Sequence, residues 1–298
     1  MSKKYSIFHI EGGLGKHVAA TAVCKCIKNN HPDRELIVVC AWPEVFVNLS
    51  FVDRVYKIGM TPYFYQDYVN NIDSLIFKHE PYFTTNHIHR KTRLIQNWCE
   101  LYGLTYEGEQ PELVYNIRQK QLAYSSWGSE KPLMLIQTNG GMFETNNSMS
   151  YRWTRDMPIN VLDNVVNEFK NDYTIVQIGR ENSYFHKDVV AFSKKIPSME
   201  LFSALLLSKK RLFIDSSMQH AAAAMGLKST VLWIGTSPDV FGYDVHDNIK
   251  VNEYDQSFKL PDSYLFDFNF EGIVHECPYK DFKDMFNVNE IIDSLKKQ

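Results

Sequence analysis

The sequence predicts an α/β protein made of two doubly wound, parallel-sheet halves that face a cleft. Short β-prone runs alternate with stretches of helical period along the chain, and the same pattern starts afresh near residue 128. Size agrees: 298 residues exceed one ordinary core, so two domains are expected, 1–127 and 128–298.

In the first half, residues 5–10 read as a strand, 11–15 as a glycine-rich turn, 16–29 as a helix and 35–40 as a second buried strand. That is a βαβ unit. Residues 54–58 and 74–77 are further strands, and 92–102 is an amphipathic helix stopped by Gly103. A Gly, Ser, Glu and Pro-rich stretch at 124–132 reads as the loop between halves. After it come strand 133–138, helix 161–170, strand 173–178, helix 199–207, strand 212–214, helix 216–225 stopped by Gly226, and strand 230–234. A last amphipathic helix spans 287–297, with Asn287 and Glu290 as a variant capping box, and is free to fold back onto the first half. Each half is thus Rossmann-like, and parallel sheets of this kind bind ligands at the carboxyl ends of their strands.

Hydrophobic residues at 44% and charged residues at 22% describe a folded chain rather than a disordered one. A formal net charge of -3 offers no overall attraction for nucleic acid or an anionic surface, so any affinity for anions is local. The five cysteines are odd in number, and Cys24 and Cys26, two apart in a helix, point to different faces. Reduced thiols are expected. No leader-like or membrane-spanning apolar run is present, so the reading is a cytoplasmic protein.

Two segments carry chemistry. Glu11-Gly12-Gly13-Leu14-Gly15-Lys16-His17 follows a strand and opens a helix, so its amides are placed to meet an anion or a sugar. It has neither the dinucleotide spacing nor the Ser or Thr of a P-loop. His17, in the first helical turn, is a candidate general base, because the positive helix end favours neutral imidazole; Glu11 is the alternative. Gly13, Gly15 and Lys16 are candidate anion contacts. The second segment is Asp215-Ser216-Ser217-Met218-Gln219-His220 with its alanine run, followed by a strand and Gly235-Thr236-Ser237-Pro238. A strand-end acid and two small hydroxyl residues offer a cap and free amides to a diphosphate, with His220 about one turn inside. A basic cluster containing Arg90, Lys91 and Arg93 suits a phosphorylated or carboxylated acceptor, or is simply a solvated helix start. There is no Asp-x-Asp triplet and no familiar zinc spacing, so neither a metal nor another cofactor is expected.

The Asp215 segment resembles the donor-site motif of glycosyltransferase family 9, the ADP-heptose:lipopolysaccharide heptosyltransferases. The glycine turn with Ala20-Thr21-Ala22, the element Tyr151-Arg152-Trp153, the strand end Gly179-Arg180-Glu181, Cys277 and the final helix are similar to further features of that family. The resemblance implies the GT-B fold and a metal-independent, inverting transfer of a sugar, heptose being the best-known, from a nucleoside diphosphate to a glycan or glycolipid hydroxyl. It also implies a place in lipopolysaccharide biosynthesis and peripheral membrane contact through the acceptor. It assigns Thr138 and Asn139 to the phosphate pocket, Arg152 to the phosphate charge, Glu181 to the ribose, and Asp215, Ser216, Ser217 and His220 to diphosphate and sugar. Two departures stand out: Lys16 replaces the family's acidic base, and Ser217 replaces a glycine. The alternatives are a nucleotide-sugar-binding protein that has lost transfer, and a nucleotide-sugar epimerase or hydrolase.

Overall fold

A computed structural model of the chain describes residues 3–140, 153–193, 197–253, 279 and 281–298. The first half holds β1 (Lys4–Ile10), α1 (Leu14–Asn30), β2 (Glu35–Cys40), β3 (Arg54–Lys57), α2 (Phe64–Tyr68), β4 (Asp73–Phe77), α3 (Thr85–Ile88) and α4 (Leu94–Leu101). After it come α5 (Ile117–Trp127), β5 (Leu133–Gln137), α6 (Ile159–Phe169), β6 (Thr174–Ile178), β7 (Val190–Phe192), α7 (Ser198–Leu207) and β8 (Lys210–Ile214). The chain continues through α8 (Ser217–Ala224), β9 (Thr230–Trp233), α9 (Pro238–Phe241), β10 (Asp247–Lys250) and α10 (Val288–Lys296).

The strands form two parallel sheets, β3-β2-β1-β4 and β10-β9-β8-β5-β6-β7. Counted from β5, the second sheet has the doubly wound order 3-2-1-4-5-6, and its winding reverses between β5 and β8. The first sheet reverses between β1 and β4. Each reversal leaves a crevice at the carboxyl end of the strands, and both candidate segments start there.

Central strands are buried on both faces. All five residues of β5 and of β8 are enclosed, which suits the near-continuous apolar run of β5; in β8 the buried Lys210 and Arg211 donate to the carbonyls of Leu295, Lys228 and Ser208. On β1, Tyr5 and Ile7 pack under α2 with Tyr68, while Phe8 and Ile10 pack under α1 and α4. The cluster that holds Phe8 and Ile10 runs on without a break through Ala221 and Ala222 of α8 to Leu135 of β5. The two sheets therefore share one dry core. On the far face of the second sheet, α6 and α10 supply Val161, Val165, Ile291 and Leu295.

Gly103 and Gly226 end α4 and α8 in the left-handed region, at φ 68° and 67°, as expected of helix stops. Other readings need correction. Residues 124–127 are not a loop but the last turn of α5, which starts with a reciprocal Asn116–Gln119 capping box and packs on α7. α10 packs on α6, β8 and β9 of the second half, and Asn287 caps it by accepting from the Asn289 amide rather than in a box with Glu290. No helix among the described residues is long and apolar enough to cross a membrane.

Candidate functional site

The turn after β1 leads into α1 through Gly13, which has extended backbone and offers no side-chain cap, so the first amides of the helix have no cap partner. α8 opens in the same manner at Ser216, again without a side-chain cap. These two helices lie side by side and point the same way. A Cβ on Gly15 would sit 2.9 Å from His220 Cδ2 and 3.0 Å from Ser217 Cα. At the other end, the Ala224 carbonyl accepts from the Leu113 amide, and the neighbouring Glu112 amide donates to Thr21 of α1. Two positive helix ends are thus set together. Gly15 serves this approach of two backbones; that is a packing reason for its lack of a side chain, where an anion contact was expected.

Several expected roles are corrected by these surroundings. His17 is fully buried: its Nδ1 lies 2.9 Å from the Gly13 carbonyl and its Nε2 accepts from the Ala41 amide at 3.2 Å. Burial pushes its pKa down, and with both nitrogens engaged the ring has none free to take a substrate proton. Lys16 does not reach out for an anion. Its ammonium pairs with Glu80, three residues beyond β4, and lies over the Tyr82 and Trp98 rings at 5.6 and 5.9 Å. His220 is also a pin: Nδ1 meets the Tyr243 hydroxyl at 2.8 Å, the Gln219 amide approaches Nε2 at 3.2 Å, and burial lowers its pKa to about 4. Glu11 remains exposed at the mouth, 3.8 Å from His9.

Asp215 ends β8 almost enclosed, with its side chain 8% exposed. Its carbonyl accepts from Arg155 Nε at 3.2 Å and from Nη2 as well, and its carboxylate lies 3.6 Å from the same guanidinium. Arg155 was missed in the sequence. It follows the Tyr151-Arg152-Trp153 element by two residues, and Arg152 itself lies outside the described residues. The loop that carries Arg155 is fastened over the sheet by Thr154, whose carbonyl accepts from the Gly235 amide at 2.7 Å. Arg155 therefore sets a guanidinium, already facing the Asp215 carboxylate, at the strand end where α8 begins. Ser216 is buried there and Ser217 half-buried.

Beside this, the end of β5 opens into a cleft of about 600 Å³ whose lining includes Thr138, Asn139, Trp153, Asp163, Tyr184 and Phe282. Clefts of roughly 300 to 1,000 Å³ are the usual size for small-molecule sites. All of its described lining belongs to the second half, whereas the sequence placed the cleft between halves. Thr138 and Asn139 do line it. Glu181 is exposed on the turn after β6, next to the lining residue Asn182. The structure thus gathers Thr138, Asn139, Asp215, Ser216 and Ser217 around one sheet edge, and leaves Glu181 at its rim.

The basic cluster is used between the halves. Arg93 makes a two-pronged pair with Asp244, at 2.6 and 3.2 Å, and His87 packs edge-on against Phe241. Arg90, half-buried at φ 51°, lies where its charge lowers the pKa of Asp239, behind the larger effect of the Lys250 hydrogen bond. Only Lys91 keeps the exposed position the acceptor reading gave it. Among the described residues no group of three or more His, Cys, Asp or Glu side chains is gathered that could hold a metal ion.

No protein-family model matches the chain, and no curated protein does. Solved structures do match. A glycosyl transferase of family 9 from Veillonella parvula is 15% identical, with a TM-score of 0.67, over 100% of this chain and 97% of that one. The ADP-heptose lps heptosyltransferase II of E. coli is 10% identical, with a TM-score of 0.62, over 85% of this chain and 92% of its own. The dodecameric, iron-containing glycosyltransferase TibC of enterotoxigenic E. coli is 14% identical, with a TM-score of 0.68, over 100% of this chain and 78% of that one; it has also been solved with ADP-D-beta-D-heptose. The fold is therefore of the GT-B class, two parallel α/β sheets flanked by helices. More narrowly, it is the fold of the family 9 glycosyltransferases that the Asp215 segment resembled.

Proposed function

We propose that the protein is a glycosyltransferase that moves a sugar from a nucleoside diphosphate to a hydroxyl of a glycan or glycolipid. The observation that carries this reading is the pairing of the α1 and α8 starts beside Arg155, next to a cleft large enough for a nucleoside. Two helix ends and one guanidinium neutralise the diphosphate as it leaves. The nucleoside occupies the cleft at Thr138 and Asn139, with Glu181 at the ribose, and the acceptor lies over the first sheet. The donor of the TibC complex, ADP-D-beta-D-heptose, is of this chemical class.

The base is a carboxylate of the first half. Glu80 is neutralised by Lys16, and His17 has no free nitrogen, so Glu11 takes the acceptor proton and the hydroxyl attacks the anomeric carbon with inversion. In place of a metal, Arg155 and the helix ends supply the positive charge that the leaving group needs. Glu11→Gln is expected to lower turnover at least about a hundredfold while donor affinity, read by calorimetry, stays within about twofold. Unchanged turnover removes Glu11 as base. The placing of Lys16 favours a second reading, a donor-binding protein without transfer; donor binding with no product across a panel of acceptors supports it.

A further inference from the structure

Gln177 sits in β6 between Val176 and Ile178 and is wholly buried, yet the donor and acceptor roles of the cleft give it no part. Its amide is fully used. Nε2 donates to the Tyr184 carbonyl at 2.8 Å and to Thr138 Oγ1 at 3.3 Å, and Oε1 accepts from the His186 amide at 3.1 Å. A buried amide is costly unless its groups are paired, and all three partners lie at the two strand ends that border the cleft. Tyr184, one of the lining residues, is also held at its tip: its hydroxyl donates to Asp163 Oδ1 of α6 at 2.9 Å. Between these two anchors Tyr184 remains 46% exposed. The strand end beneath is tight, since a Cβ on Gly179 would lie 3.0 Å from Asn139 Oδ1 and 3.1 Å from Phe185 Cζ. The loop that carries the ring therefore has little room to shift.

We propose that the Tyr184 ring is the stacking wall for the base of the bound nucleotide, and that Gln177 is the positioning residue that sets it. The assignment rests on the reading of this cleft as the nucleoside site. Every base presents a π face, so a fixed aromatic ring adds affinity whatever the base. Gln177 acts through Tyr184: by joining Thr138 at the end of β5 to the carbonyl of Tyr184, it sets the spacing between the two sides of the cleft. A ring fixed in advance spares the ligand the cost of ordering a loop.

The test is calorimetric titration of the full chain with ADP, GDP, UDP and inorganic pyrophosphate. Tyr184→Ala is expected to weaken the tightest-binding nucleotide about tenfold and to leave pyrophosphate, which has no base, within about twofold. Tyr184→Phe, which keeps the ring, should stay within about threefold of the parent. Gln177→Leu should weaken the nucleotide and spare pyrophosphate, and should add nothing further in the Tyr184→Ala background, which a merely structural role would not produce. Tyr184 is a half-exposed loop residue, so its variants test the wall even where Gln177→Leu fails to fold. Nucleotide affinity unchanged in Tyr184→Ala, or lost equally for pyrophosphate, overturns the stacking wall while leaving the diphosphate site standing. Losses that add in the double variant overturn the role of Gln177. Absence of binding by all four ligands overturns this inference and the transferase reading together.

Discussion

His17 shows how a catalytic-looking residue becomes a structural one. Its two nitrogens join the Gly13 carbonyl of the β1–α1 turn to the Ala41 amide after β2, so the ring ties the ends of two neighbouring strands. Removing it leaves both groups without their partner, and His17→Ala is expected to cost about 2–4 kcal/mol in urea unfolding. Gly15→Ala tests the helix approach: a methyl 3.0 Å from the Ser217 Cα meets backbone, so a loss of about 1–3 kcal/mol is expected. The buried histidines give a pH signature. His220 and His246 are held to about 4 by burial, against an ordinary 6.5, so below pH 6.5 the unfolded chain takes up protons that the folded one refuses. Stability is therefore full above pH 6.5, falls as the pH drops towards 4, and levels off below that. The loss is at most roughly 3 kcal/mol for each histidine. Chemical unfolding at pH 7 and pH 4.5 measures it; equal midpoints contradict this account.

Elements were more legible than contacts. The helices and most strands carry their own signals: the alanine run and Gly226 define α8, and unbroken apolar runs define β5 and β2. β7 escaped because three residues of an edge strand show no usable alternation, and α5 because its packing line is so narrow. What the sequence does not show is pairing at a distance. The Lys16–Glu80 pair spans 64 positions and Arg93–Asp244 spans 151, so residues that looked free to bind anions are already engaged. The site was half legible for the same reason: strand-end positions such as Thr138 and Asp215 follow from topology, whereas Arg155 depends on a loop closing over Gly235. The Arg93–Asp244 pair is exposed, and exposed pairs are worth under about 1 kcal/mol. Asp244→Ala should leave the melting temperature within about 2 °C but raise hydrogen exchange at the ends of α4 and α9. Unchanged exchange there means that the pair does not hold the halves together.

At the scale of the molecule, two sheets share one core through α1 and α8, so the start of α8 and the first half are mechanically joined. A ligand seated at the paired helix ends touches both halves at once. The account rests on the claim that those ends and Arg155 receive a diphosphate. Calorimetric titration of the parent and of Arg155→Ala with nucleoside mono- and diphosphates tests this most directly. The account predicts that a diphosphate binds more tightly than its monophosphate, and that Arg155→Ala weakens the diphosphate about tenfold or more, since charge-assisted hydrogen bonds are worth about 1.5–3 kcal/mol. No heat from any diphosphate, or equal affinity in the parent and Arg155→Ala, contradicts it.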